Sequence, residues 1–177
     1  MENGSIGMCD GIAIIREDGP AMGYDTRFEG SVTVTPPLNP TEVSYLQQFN
    51  ESRRVARTKG PYFVRGAGYR GQDRDPDITD YNNPPEGQPG LWCGWRPSDD
   101  GTTIGWDGIE KFYFAHLWML YLVEHFLAAP AYASGHADVD ERLAAFTFDH
   151  VLNGVIHAQG EDPDDVWDLI LHDNHFA

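Results

Sequence analysis

The sequence predicts an α+β fold in which an antiparallel sheet of about five or six strands carries two main helices packed on one face. Three observations predict it. Segments with the period-two alternation of strands lie in the first quarter and at the end of the chain. Two other segments have the caps and the apolar spacing of helices. A tight-turn signal joins two segments near the middle into a hairpin.

The first strand is predicted at residues 28–35, FEGSVTVT, where Val32 and Val34 lie on one face. Pro36 and Pro37 end this strand, because proline has no backbone N–H to donate to a ladder. A second, short strand is predicted at 61–64, PYFV.

The first helix is predicted between these strands. Asn39 is in the position of an N-cap, Pro40 follows at the first helical position, and Glu42 completes a capping box. Apolar residues then recur at helical spacing, which predicts a helix that runs to about Arg57 or Thr58.

Residues 66–90 are predicted to form a long loop, because five glycines and four prolines in this stretch disfavour any regular element. Residues 91–97 and 102–106 follow as two strands of a hairpin, since the sequence PSDDG between them ends in Asp100 and Gly101, a tight-turn signal.

The second helix is predicted to begin at Asp107, with Glu110 completing its capping box, and to continue through the apolar segment 112–130. Charged and histidine residues interrupt that segment, which argues against a membrane span. We expect a buried central helix, with a subunit interface as the alternative. Residues 146–160 and 166–172 then supply two or three final strands.

The composition indicates one folded, strongly acidic domain. The chain has 177 residues, 41% of them hydrophobic, and a formal net charge of -16. Such a charge repels nucleic acid and membrane surfaces, so it favours a basic partner, simple solubility, or imitation of a polyanion. Residues 1–22 are predicted to be a flexible N-terminal extension, with Met1, Met8 or Met22 as the start, and 23–177 to be the domain.

The two cysteines, Cys9 and Cys93, lie 84 positions apart and form no metal-binding spacing. This usage fits a reducing cytoplasm. Cys93 stands between two tryptophans and is predicted to be packed rather than reactive. No motif of a nucleophilic triad or of a zinc hydrolase is present, so no catalytic residue and no cofactor is assigned.

The stretch VIHAQGEDPDDVWDLIL, 155–171, places an acidic loop between two strands. Turn chemistry explains Gly160, Asp162 and Pro163. The remaining acids leave three interpretations, namely a solvated hairpin, an acidic edge that faces a protein, or a site for Mg²⁺ or Ca²⁺. The acids concerned are Glu161, Asp162, Asp164, Asp165 and Asp168.

A basic segment, 53–74, runs against the overall charge. It contains seven of the twelve basic residues and one acid, Asp73, so its net charge is +6. Arg65, Arg70 and Arg74 are candidates for anion binding, although the segment lacks the Lys-Ser/Thr pair of a P-loop. The alternative is that these arginines pair with acids of the same chain.

Trp92 and Trp95 are three positions apart on a predicted strand, so they are expected to face opposite sides of it. One of them is then a candidate anchor for a partner, unless the long loop covers it. Trp167, next to the acidic loop, is another candidate.

Three blocks of the sequence resemble small acidic proteins of actinobacteria and their phages. The blocks are GYDTRFEGSVTVTPPL (23–38), IGWDGIEKFY (104–113) and LNGVIHAQGEDPDDVWDL (152–169), about a quarter of the chain. The resemblance implies no activity and no functional residue. It favours a function in which the protein binds and modulates a host protein.

We therefore expect a non-enzymatic, intracellular binding protein that engages a host protein with a basic surface, with no membrane and no nucleic acid as partner. Glu161, Asp162, Asp164 and Asp165 provide the charge, and Trp167, Trp92 or Trp95 the anchor. The first alternative is a nucleotide- or phosphate-binding enzyme or sensor that uses the basic segment and Mg²⁺. The second is a structural subunit that forms a homo-oligomer through the apolar helix.

Overall fold

The computed structural model describes residues 23–64 and 75–177. The predicted extension at 1–22 and the anion-binding candidates Arg65, Arg70 and Arg74 lie outside the described residues. The fold confirms the α+β prediction, because a six-stranded antiparallel sheet packs against two helices.

The main sheet has the strand order β4-β5-β1-β6-β7-β8, and β2 and β3 pair separately. The strands are β1 (Thr26–Thr35), β2 (Ala56–Arg57), β3 (Ile78–Asp80), β4 (Trp95–Pro97), β5 (Thr103–Trp106), β6 (Val151–Gly160), β7 (Val166–His172) and β8 (His175–Phe176). The helices are α1 (Pro40–Glu51) and α2 (Ala115–Leu122). The predicted first strand, the central hairpin and the final strands are thus confirmed.

Helix α1 begins where the sequence predicts and ends earlier. The Asn39 side chain accepts from the backbone N–H of Thr41 and Glu42, and Glu42 accepts from the Asn39 N–H at 2.7 Å. The predicted end near Arg57 is wrong. The Ser52 hydroxyl donates to the carbonyl four residues earlier, and the Arg54 N–H pairs with Leu91, so long-range contacts stop the helix.

Helix α2 begins eight residues later than predicted. Asp107 accepts from the side chain of Asn50 at 2.8 Å and from the Ile109 N–H, so its carboxylate is used before any helix forms. Phe114 precedes α2 in the left-handed conformation, and a π turn, Val123–Leu127, follows. As predicted, α2 is central and buried. None of the described helices is long and apolar enough to cross a membrane.

Two further predictions are wrong. Residues 61–64 form no strand, because the carbonyls of Pro61 and Phe63 accept from the Arg54 guanidinium and that of Tyr62 from the Tyr45 hydroxyl. The long loop does contain a regular element, since β3 pairs with β2. A buried ion pair between Arg57 and Asp77 accompanies this pairing, at 3.0 Å.

The sheet has one buried face and one face that no described element covers. Its buried face meets both helices and includes Val32, Val34, Ile104, Leu152, Ile156, Ala158, Leu169 and Leu171. The alternate residues form what we call the open face, which is mainly polar. Its central members on β1, β6 and β7 are Glu29, Ser31, Thr33, Asn153, Val155, His157, Gln159, Val166, Asp168 and Ile170.

Candidate protein-binding surface

The acidic hairpin, which we define as β6, β7 and the connecting residues 161–165, is the most strongly charged part of the sheet. Residues 143–177 carry seven acids and neither lysine nor arginine. Strand pairing fixes the hairpin in one register, with Gln159 opposite Val166 and His157 opposite Asp168. The carboxylates are therefore held on a rigid support at one side of the sheet.

Two of the four predicted acids of the connecting loop have internal roles. The hydroxyl of Tyr24 donates to Asp165 Oδ2 at 2.6 Å, and the Asp25 N–H donates to Glu161 Oε1 at 3.0 Å. The hydrogen bond to the Asp165 carboxylate raises the pKa of Tyr24. Glu161 and Asp165 thus fasten the chain that enters β1, which removes much of their capacity for a partner.

The other two predicted acids, Asp162 and Asp164, are exposed, and their carboxylates bond to no described residue. Only backbone atoms of Asp162 contribute to the turn. The structure therefore separates the four acids into two that hold the loop and two that face solvent.

The open face adds a row of three polar side chains beside these acids. His157 Nδ1 lies 2.6 Å from Asp168 Oδ1, and both side chains are largely exposed. Glu29 is the neighbour of His157 on β1. The row Glu29, His157 and Asp168 crosses three strands, and an exposed polar pair of this kind contributes little to stability. This row, with its two carboxylates, extends the acidic surface across the sheet.

The predicted tryptophan anchors are placed differently from one another. Trp95 is 1% exposed and donates from Nε1 to the carbonyl of Ala115, so it cannot contact a partner. Trp92 precedes β4 and is half-buried, so the opposite-face argument does not apply to it. Trp167 is also half-buried, and its ring meets Phe28 edge-on at 5.7 Å.

The exposed apolar residues of the hairpin were missed from the sequence. Val166 is 61% exposed and Val155 39%, and both belong to the open face. The signal was available in the alternation of β6 and β7, which places them outward once the register is known. They supply an apolar contact area among the acids.

Two arginines of the basic segment, Arg54 and Arg57, are used inside the chain. Arg57 lies within 3.1 Å of the carboxylates of Asp75 and Asp77, and all three are buried. Arg54 is 2% exposed, donates to two carbonyls and lies over the Phe49 ring at 4.3 Å. Neither guanidinium is accessible to an external anion.

Other titratable groups are packed rather than arranged for chemistry. His125, in the π turn, stacks on Tyr121 at 3.7 Å and bonds to the Tyr62 hydroxyl at 2.7 Å. Burial lowers the pKa of His125 to about 4, so the ring is neutral at neutral pH. Burial also raises the pKa of the Cys93 thiol to about 12. Within 23–64 and 75–177, no three His, Cys, Asp or Glu side chains are grouped to hold a metal ion.

Comparison of the chain with protein-family models, with curated proteins and with solved structures gives no match. The resemblance of the three sequence blocks to actinobacterial and phage proteins therefore stays a prediction.

Proposed function

We propose that this chain is a non-enzymatic cytoplasmic binding protein that engages a basic surface on a host protein through the acidic hairpin and the neighbouring open face. Asp162, Asp164 and Asp168 attract the partner, and Val166 and Val155 contact it. This assignment moves the apolar contact from Trp95 to the two valines.

One observation carries the proposal. The last 35 residues carry seven acids and neither lysine nor arginine, and they form one side of a sheet whose outer face no described element covers. Like charges held together in this way repel each other and destabilise the free protein slightly. A basic partner relieves that repulsion, and its own charge speeds association.

The test uses the full chain as bait, in wild-type form and as two charge-matched variants. Asp162→Asn/Asp164→Asn removes the free acids of the loop. Glu86→Gln/Glu110→Gln removes two exposed acids elsewhere, which make no bond to described residues. Proteins from a lysate of the native host are captured on each bait, and the specific partner is then titrated against all three.

We expect a partner that the wild type and the Glu86/Glu110 variant bind equally and that the Asp162/Asp164 variant binds about tenfold more weakly. Raising the ionic strength from about 0.1 M to about 1 M should weaken binding further, because the Debye length falls from about 10 Å to about 3 Å. Equal binding by all three baits would contradict the proposal.

A further inference from the structure

The outer edge of β7 is only partly paired. On one side β7 pairs with β6 over Val166 to Leu171. On the other side β8 pairs only with Leu171 and His172. From Val166 to Ile170, no described strand lies against this edge.

Two hydrogen bonds fix which backbone groups point outward. Gly160 donates its N–H to the carbonyl of Asp165 at 2.8 Å. The backbone N–H and C=O groups of odd-numbered residues in β7 therefore point toward β6. Ala177 donates its N–H to the carbonyl of Ile170 at 3.1 Å. The backbone N–H and C=O groups of even-numbered residues in β7 therefore point away from β6. Because antiparallel strands alternate in this way, the N–H and C=O of Val166 and Asp168 point out of the sheet, whereas Ala177 already lies beside Ile170.

This edge has the length and spacing that a further strand needs. Two donors and two acceptors alternate along it, those of Val166 and Asp168, and both residues are exposed. Natural sheets usually cover or blunt such edges, since an unpaired edge recruits another strand. Here the two-residue strand β8 covers only one end.

The charge of the surroundings decides which strand fits. Asp162 and Asp164 flank the start of the edge and Asp168 lies on it, with no lysine or arginine from 143 onward. A second copy of β7 would bring these acids against their own counterparts, which destabilises a pair of strands. A segment with lysine or arginine at alternate positions would instead place positive charge opposite them.

We infer that the outer edge of β7 binds an extended basic segment of the partner by strand addition, with main-chain hydrogen bonds to Val166 and Asp168. This inference deepens the proposed function and rests on it. Main-chain bonds supply affinity in this mode, and alternate side chains supply specificity. When the Lys or Arg residues of the segment lie on the face of Val166 and Asp168, its alternate apolar residues lie on the opposite face, the side of Trp167 and Leu169.

The probe is the capped peptide Lys-Val-Lys-Val-Lys-Val, titrated into the full chain. Its control has the same side chains and a methyl group on every backbone nitrogen, so it keeps its charge and loses its donors. We expect the methylated peptide to bind at least about tenfold more weakly, because it can no longer donate to the outward carbonyls of Val166 and Asp168. Amide hydrogen exchange of Val166 and Asp168 should slow about tenfold or more at saturation with the unmodified peptide.

A pair of protein variants tests the same edge. Asp168→Asn removes the charge, and Asp168→Pro removes the charge and the outward N–H while leaving the ladder to β6 intact. We expect the proline variant to bind the unmodified peptide more weakly than the asparagine variant does. If the proline variant does not fold, the two peptides and the hydrogen-exchange measurement still test strand addition at β7.

The two proposals fail differently. Equal binding of both peptides, or binding of neither, would overturn strand addition. If both peptides bind equally and both lose affinity in the Asp162→Asn/Asp164→Asn variant, the acidic surface stands without strand addition. If affinity for the peptide is unchanged in that variant, the proposed function itself fails.

Discussion

Nε2 of His150 lies 3.1 Å from Oε1 of Glu42, and both side chains are almost completely buried. His150 Nδ1 is 2.7 Å from the carbonyl of Pro36, which only accepts, so Nδ1 carries a hydrogen. Glu42 accepts from the N–H groups of Asn39 and Thr147, as a carboxylate does. When Nε2 also carries a hydrogen, the pair is an imidazolium and a carboxylate inside the protein.

This pair predicts a stability maximum in mildly acidic solution. Burial alone would lower the pKa of His150, but the bonds to Glu42 and Pro36 raise it above 6.5. Burial alone would raise the pKa of Glu42, but the bonds from His150, Thr147 and Asn39 lower it below 4.5. The stabilisation from His150 is complete below 6.5 and is lost above its folded pKa. That from Glu42 is complete above 4.5 and is lost below its folded pKa.

The wild-type chain should therefore exceed Glu42→Gln in free energy of unfolding by about 3 kcal/mol between pH 4.5 and 6.5. The difference should shrink on both sides of that window. Urea unfolding at a series of pH values measures it, with Glu86→Gln as the control in which an exposed acid is replaced. A difference that does not vary with pH would contradict the ionised pair.

A second prediction compares a buried with an exposed arginine. Arg57→Ala removes the buried guanidinium that lies between the carboxylates of Asp75 and Asp77, and should cost about 3–5 kcal/mol of unfolding free energy. Arg96→Ala removes a pair with Glu51 at the surface, and should cost less than about 1 kcal/mol. Thermal unfolding of both variants gives the comparison. Similar costs would mean that the buried group does not act as an ion pair.

The elements that the sequence predicted correctly depend on neighbours along the chain. The cap at Asn39 needs only Glu42, three residues away, and the strands of the acidic hairpin need only their alternation and the turn between them. Asp107 shows the opposite case. It has the sequence of a helix cap, but Asn50, 57 positions earlier, takes its carboxylate. No local pattern contains that contact.

The candidate site divides in the same way. Turn chemistry located the acids of 161–165, but it could not show which of them are free. Asp165 is occupied by Tyr24, which lies 141 positions away in the sequence. The burial of Trp95 likewise depends on the position of Ala115 on α2. The exposed edge of β7 follows from the sheet order, which the sequence left open.

A third prediction concerns the aromatic cluster below the hairpin. Phe28 meets Trp95, Trp106, Phe112 and Trp167 edge-on, at ring-centre distances of 5.3 to 5.7 Å. Phe28→Ala should lower the free energy of unfolding by about 4 kcal/mol, because it opens a cavity among four rings. Phe28→Leu fills most of that volume and should cost about 1 kcal/mol. Denaturant titration followed by tryptophan fluorescence separates the two, and equal small losses would contradict the packing.

The last prediction tests which acids of the hairpin are occupied. Since the Tyr24 hydroxyl donates to the Asp165 carboxylate, its proton is held and its pKa is raised above 10.0. Asp165→Asn removes the charged acceptor, so the pKa of Tyr24 should fall toward the ordinary value. Asp164→Asn removes the same charge one residue away without touching the phenol, so it should leave the pKa of Tyr24 nearly unchanged. Carbon-detected NMR of the tyrosine rings follows the titration. A pH range from about 8 to about 12 is suitable, because the ordinary pKa of tyrosine is about 10. If both variants shift Tyr24 equally, the effect is that of general charge, and the division into two holding acids and two free acids is wrong.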